Sequence, residues 1–310
     1  MKKIESRKGE EYKLWQKTRK WSIENMDKIY KELGVKFSHI FYESEVINQG
    51  KKMIDDLIKK GFLIKSQGAV IADLEKYGLG VLVFLRSDGT ALYPVADIPL
   101  AIEKFKKYKL DKSIYVVDIR QGQYFKQLFK IMELLGYKKE MAHLGYEFVK
   151  LPSGMMSSRT GNVITYEELK AQLMEKAISE TKKRHEDWSA QKINKTVIAI
   201  VNGAIKFEMI KVGREQIITF DIDTALKFEG YTAAYLQYTC ARIMSVIRKS
   251  KVLKSIKSKI NLKNLIEKQE YELIIKLAKY PEAVKRAGEN YDPSELAKYL
   301  FELAQEFNNY

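Results

Sequence analysis

The segment Leu151-Pro-Ser-Gly-Met-Met-Ser-Ser-Arg-Thr-Gly-Asn-Val163 sets a glycine turn, a serine pair, an arginine and a second glycine between apolar residues. Small residues let backbone N–H groups and hydroxyls approach an anion closely. Arg159 adds a fixed positive charge where a polyphosphate gathers negative charge in a transition state. The segment is a candidate phosphate-handling loop worked by Ser157, Ser158 and Arg159, although the same residue types alone also suit a solvated surface loop.

Tyr93 and Asp97 stand four apart and share a face if both lie on one helix, whose first turn Pro94 would occupy. A carboxylate beside an aromatic ring makes a pocket for a cationic side chain: the acid pairs with a guanidinium or ammonium and the ring covers the apolar stem. Asp97 could equally serve as an acid complementing the helix dipole. Arg120-Gln121-Gly122-Gln123 follows a strand and opens a helix, a place that offers free backbone N–H groups and side-chain amides to a ligand. His143 reads either as a nucleotide contact or as a hydrogen-bonded histidine at a strand end. Tyr231, Tyr235, Tyr238 and Arg242 fall at helical spacing. Such a face could stack unpaired RNA bases, or could pack into a core.

The elements that would position these residues follow from periodicity and turn chemistry. Residues 8–34 read as one or two helices closed by Gly34, residues 35–41 as a strand, and residues 46–60 as a helix stopped by Gly61. Short strands are expected at residues 70–72 and 81–85, with Gly78 and Gly80 as turn residues between them. From there strands and helices alternate: Leu92-Tyr93, a helix through Lys104, a strand over 113–118, then a helix over 122–135. This is the signature of a parallel, doubly wound sheet, in which ligands sit beyond the carboxyl ends of the strands. Past Asn162 the pattern is helical, ending in an all-α bundle that carries a basic stretch from Lys249 to Lys263.

With 310 residues, two or three domains are expected. A net charge of +15 favours a polyanionic partner such as nucleic acid. Cys240 is the only cysteine and the three histidines lie far apart, which leaves no disulfide framework or cysteine-based zinc site and fits a reducing cytoplasm. No metal site is expected, and no apolar run approaches the roughly 18 residues of a membrane span.

In order and spacing, these motifs resemble those of arginyl-tRNA synthetase, a class I aminoacyl-tRNA synthetase. Gly154 to Val163 resembles that family's KMSKS-type loop. Asp88 to Ile98 is similar to the segment that supplies the Tyr and Asp of the arginine pocket, and Val116 to Gln121 with Tyr124-Phe125 to the segment supplying its Gln. Phe228 to Arg242, Pro281-Glu-Ala-Val and Tyr299 to Asn308 resemble helices of the anticodon-binding domain. The resemblance implies an α/β plus all-α fold: the second half of a Rossmann-like parallel sheet, then a helical anticodon-binding domain. It implies a tail of the first catalytic half and an inserted connective region over 1–85, and the second half of the catalytic domain over 86–165. A stem-contacting linker over 166–222 and a truncated anticodon domain over 223–310 would follow.

The same resemblance implies arginine contacts at Tyr93, Asp97 and Gln121, and catalytic groups at Ser157, Ser158 and Arg159. It puts ATP contacts at His143, Met156, Ser157, Ser158 and Arg159, and tRNA contacts at Tyr231, Tyr235, Tyr238 and Arg242. ATP with Mg²⁺, L-arginine and tRNA(Arg) would be the substrates of a two-step arginine–tRNA ligase. Two departures stand out. No pair of histidines here has the family's HxGH spacing, and Met155 occupies the first lysine position of the loop motif. The expectation is therefore an enzyme fragment, inactive alone, that needs the missing N-terminal half carrying HxGH, whether that half stands on another chain, was lost or lies unread upstream. The alternative is a non-catalytic tRNA-binding protein derived from the same family.

Overall fold

The computed structural model describes residues 2–5, 7–154, 163–250 and 265–310. The chain divides into two compact units, residues 1–145 and 146–310. No helix among the described residues is long and apolar enough to cross a membrane.

The first unit opens with a short turn of helix, α1 (Lys2–Glu5), and the long helix α2 (Glu10–Leu33). Gly34, left-handed at φ 66°, ends α2 as its sequence position predicts, and the Val35 N–H closes back onto the Tyr30 carbonyl at 2.8 Å. Residues 35–41, expected as a strand, form no strand and pair with none among the described residues. Their rings pack instead on aromatic neighbours: Phe37 against Tyr30 with centroids 4.8 Å apart, and His39 against Phe41 at 4.3 Å. β propensity has effect only where a neighbouring strand completes the ladder.

Helix α3 (Glu43–Lys59) starts with a Glu45 side chain that accepts from the Tyr42 N–H at 3.1 Å, and it buries Val46, Ile54 and Leu57. An antiparallel sheet follows, β1 (Ile64–Ser66), β2 (Ala69–Asp73) and β3 (Val81–Leu85). Gln67 and Gly68, at φ 49° and 79°, form the two-residue turn between β1 and β2, whose paired positive angles match strand twist. The strand expected at Leu92-Tyr93 shrinks to a single bridge between Leu85 and Ala91 plus a 2.9 Å bond from the Leu92 N–H to the Phe84 carbonyl. Pro94 ends it, because its fixed φ suits the first turn of α4 (Pro94–Tyr108).

Strand β4 (Lys112–Asp118), a 3₁₀ turn (Ile119–Gln121), helix α5 (Gly122–Leu134) and strand β5 (Glu140–Tyr146) complete the unit. β4 and β5 are hydrogen-bonded neighbours with α5 in the connection between them, the strand–helix–strand order of a doubly wound fold. One core joins these elements: Leu63, Phe84, Ile98, Leu128 and Met132 are almost fully buried in it. The buried Gln127 of α5 donates to the Leu79 and Val81 carbonyls at 2.7 and 3.2 Å, fixing α5 against the start of β3.

In the second unit, β6 (Val149–Lys150) pairs in parallel with β7 (Ile218–Thr219). Helix α6 (Tyr166–Arg184), opened by a Thr165/Glu168 capping box, buries Leu169, Leu173 and Ala177. Helix α7 (Ala190–Ile210), capped by Ser189, buries Ile193, Val197 and Val201. The short α8 (Ile222–Ala225), then α9 (Ala233–Ser250), α10 (Lys268–Ala278), α11 (Tyr280–Glu289) and α12 (Pro293–Asn309), make the helical bundle that periodicity predicted. Glu208 of α7, only 2% exposed, is paired with Lys211 at 2.6 Å, and burial raises its carboxyl above the usual range.

Candidate functional site

The first turn of α4 carries the acid of the candidate cation pocket. Tyr93 already has helical backbone angles, and its carbonyl accepts the Asp97 N–H at 3.0 Å, so the two residues share a turn. The Tyr93 side chain stands out from the unit, 72% exposed. Asp97 is half-buried, and its Oδ2 accepts the hydroxyl proton of Tyr124 from α5. The other oxygen, Oδ1, has no hydrogen-bond partner among the described residues, which leaves one face of the carboxylate for an incoming donor. The ring of Tyr93 meets that of Tyr124 edge-on at 6.4 Å. Burial raises the Asp97 carboxyl above the ordinary range, while the Tyr124 hydroxyl and the Lys104 charge pull the other way. Burial and the facing carboxylate both hold the Tyr124 proton firmly in place.

Gln121 closes the 3₁₀ turn immediately before α5. Its side chain is exposed, makes no capping bond and has no hydrogen-bond partner among the described residues. The structure thus joins Tyr93 to Asp97 through a helical turn and Asp97 to Tyr124 through a hydrogen bond, with Gln121 three residues ahead of Tyr124 on the same approach. Arg120 turns back to Asp118, with Nε and Nη2 donating to its two oxygens at 2.8 and 2.7 Å. That pairing drives the Asp118 carboxyl down to about 2.

Sequence reasoning gave no role to Tyr124 or Lys104. Lys104 lies seven residues beyond Asp97 on the same helix face, a spacing that could have revealed it. Tyr124 is brought to Asp97 only by the packing of α5 on α4, and no local pattern encodes that.

His143 lies within β5 instead of at a strand end, and its side chain has no hydrogen-bond partner among the described residues, where one reading expected one. Its ring stacks on Phe125 at 5.1 Å and 12°, and its Nε2 is buried with no partner among the described residues. Gly122 passes close by, since a Cβ there would sit 3.7 Å from the imidazole.

The phosphate-loop candidates Met155, Met156, Ser157, Ser158 and Arg159 lie outside the described residues, as does the basic stretch from Lys251 to Lys263. The entry to the loop is described. Leu151 and Gly154 exchange backbone bonds of 3.2 and 2.9 Å, and Gly154 at φ 125° makes the reversal.

The four residues expected on one RNA-facing stripe are separated by the fold. Tyr231 precedes α9 and packs between Phe207 at 5.2 Å and Phe301 at 4.9 Å. Its buried hydroxyl lacks a partner among the described residues, and burial pushes it up to about 12. Tyr235 packs on the same Phe301 at 5.2 Å. These two rings belong to the bundle interior because α12 covers that side of α9. Tyr238, 51% exposed, opens instead onto a groove of about 820 Å³ that is also lined by Arg184, His185, Trp188 and Phe228. Trp188 carries the His185 ring stacked at 3.8 Å and Lys192 3.8 Å from its centroid. Arg242, exposed, reaches Asn308 of α12 at 3.3 Å.

The family model described as tRNA synthetases class I (R), catalytic domain, matches residues 1–222, well over half of the chain. The chain belongs to the class I arginyl-tRNA synthetases. A second model, the DALR anticodon binding domain, matches residues 236–310. An arginine–tRNA ligase of Bdellovibrio bacteriovorus is 38% identical over 308 residues, covering 98% of this chain and 53% of the relative. One from Clostridium acetobutylicum is 33% identical over 313 residues, covering 100% and 54%. The fold is similar to Plasmodium falciparum arginyl-tRNA synthetase, with a TM-score of 0.80 at 22% identity, over 99% of this chain and 53% of that one. It is also similar to Thermus thermophilus arginyl-tRNA synthetase, with a TM-score of 0.76 at 25% identity, over 90% and 53%. The chain thus spans about half the length of the curated relatives it matches, and its fold class is that of a class I catalytic domain joined to a helical anticodon domain.

Proposed function

We propose that this chain supplies the arginine pocket and the tRNA-binding bundle of an arginine–tRNA ligase. The observation that carries the reading is the half-buried Asp97 carboxylate, held on one side by Tyr124, unpartnered on the other and flanked by an exposed tyrosine. A guanidinium is planar and permanently charged, and it presents paired donors that suit such an acid, while Tyr93 can cover the aliphatic stem and Gln121 can close the wall.

In the proposed reaction the arginine carboxylate attacks the α-phosphorus of ATP, which arrives as its Mg²⁺ complex. Arginyl-adenylate forms and pyrophosphate leaves; a hydroxyl at the 3′ end of tRNA(Arg) then takes the arginyl group as an ester, and AMP leaves. Such chemistry depends on positioning and charge stabilisation of the reacting phosphate, the work assigned to Ser157, Ser158 and Arg159, with Met156 and His143 as further ATP contacts. A buried, unpartnered Nε2 beside Gly122 supports a ligand role for His143. For tRNA, exposure favours Tyr238 and Arg242 over Tyr231 and Tyr235 as direct contacts. The linker 166–222 would approach the stem and residues 223–310 the anticodon.

Calorimetry of L-arginine with the full chain tests the pocket. Asp97→Ala should weaken binding by about 30-fold or more, since it removes one partner of a desolvated charge pair. Wild-type affinity in that variant would sink the assignment.

A further inference from the structure

Gln121 has no hydrogen bond of its own to aim it. Its side chain is exposed and without a partner among the described residues, so its backbone alone sets where the amide can reach. That backbone, at φ −83° and ψ 2°, ends the 3₁₀ turn between β4 and α5. A single 3₁₀ turn holds its own shape weakly, because its hydrogen bonds are few and poorly aligned. Asp118, the last residue of β4, supplies what the turn lacks. Its Oδ1 accepts the Arg120 backbone N–H at 2.8 Å and the Arg120 Nε at 2.8 Å, while its Oδ2 accepts Nη2 at 2.7 Å. The first bond caps the turn, and the other two form a fork-to-fork ion pair that ties the middle of the turn to the strand before it.

Two glycine contacts hold the same turn from its other sides. A Cβ on Gly145 of β5 would lie 3.0 Å from Ile119 Cα and 3.2 Å from Ile119 Cβ, so the strand lies directly against the start of the turn. At its end the Gly122 N–H closes onto the Ile119 carbonyl, with the His143 imidazole 3.7 Å from where a Gly122 Cβ would stand. We propose that Asp118 is a positioning residue for the arginine pocket: through Arg120 it locks the turn that carries Gln121, so that the amide is aimed before a ligand arrives. The inference rests on the arginine reading of that pocket. A cap that only starts α5 would cost stability when removed. A lock that aims Gln121 would cost affinity as well, and that loss would pass through Gln121 alone.

The test uses the full chain with Asp118→Ala, Gln121→Ala and the two combined. Asp118→Asn is the conservative variant, since its Oδ1 can still cap the Arg120 N–H while its amide cannot hold the guanidinium. Calorimetry reads L-arginine affinity, and NMR reads hydrogen exchange of the Arg120 and Gly122 amides. Asp118→Ala should speed both exchanges by about tenfold or more and weaken arginine binding by about threefold or more, with Asp118→Asn between it and wild type. The double variant should bind no more weakly than Gln121→Ala, because the two losses share one path. Losses that multiply in the double variant would overturn the proposal, as would wild-type affinity or unchanged exchange in Asp118→Ala. If Asp118→Ala fails to fold, Asp118→Asn carries the same comparison with Gln121→Ala. If the wild-type chain binds no arginine, the arginine reading fails, while the exchange comparison still decides whether Asp118 locks the turn.

Discussion

Gly50 of α3 faces the point where α4 is least able to yield. Pro99, inside α4, has no N–H to donate, so the Val95 carbonyl one turn earlier has no partner within its helix. Gly50 fills the space beside it. A Cβ built at Gly50 would lie 1.5 Å from the Val95 carbonyl oxygen, 2.6 Å from its carbon and 3.0 Å from Val95 Cγ1. Carbon and carbonyl oxygen approach no closer than about 3.3 Å, so Gly50→Ala must part the helices by close to ~2 Å. Overpacking a core that can adjust costs about 1–3 kcal/mol. Here the obstacle is main chain, and parting the helices also opens the packing of Val46, Ile54, Val95 and Ile98, so about 3–5 kcal/mol is expected. At about 2–4 °C per kcal/mol, the melting temperature followed by circular dichroism should fall by roughly 6–20 °C. On the proposed arginine reading, any surviving folded form should bind arginine poorly, because α4 carries Asp97 and Tyr93 caps its start. A variant that melts within about a degree of wild type would refute the close approach of the two helices, and with it the reason for a glycine at this position.

Asp97→Asn should separate stability from function. The folded state holds the Asp97 proton to higher pH than the unfolded chain does, so stability from this group is full below the unfolded value of about 3.9 and declines as pH rises through the raised folded value. The asparagine variant lacks that decline and should melt above wild type at neutral pH, with the gain vanishing under acid; an equal gain at all pH values would contradict the assignment. Tyr124→Phe removes the one hydroxyl donated to Asp97, so arginine binding should weaken most at low pH, and a pH-independent loss in calorimetry would show that the hydroxyl acts otherwise. In the second unit, Tyr238→Ala should leave thermal stability within about 0.5 kcal/mol while costing about 1–3 kcal/mol in tRNA affinity, read by filter binding. Tyr231→Ala should instead lower stability by about 3–5 kcal/mol, because its ring fills the space between Phe207 and Phe301. The reverse pattern would return Tyr231 to the RNA face.

The local signals in this sequence determined much of the fold. Gly34 ends α2, Pro94 opens α4, the Thr165/Glu168 box opens α6, and helical periodicity marks the bundle, because each depends on a few consecutive residues and their own backbone geometry. The order of motifs likewise carried the family and named Tyr93, Asp97 and Gln121 as a pocket. What tertiary structure alone decided are relations between elements. Residues 35–41 have the composition of a strand but no neighbouring strand among the described residues to pair with, and they form none. Tyr231 and Tyr238 sit in one helical pattern, yet one is core and the other lines a groove, because α12 covers only one side of α9. Asp97 meets Tyr124 only because α5 packs on α4, and Lys104 is held in place only because β4 puts the Tyr115 ring beneath it. A side chain's neighbours along a helix are fixed by the 3.6-residue repeat, whereas its neighbours across a core are fixed by how whole helices and strands bury their apolar faces together.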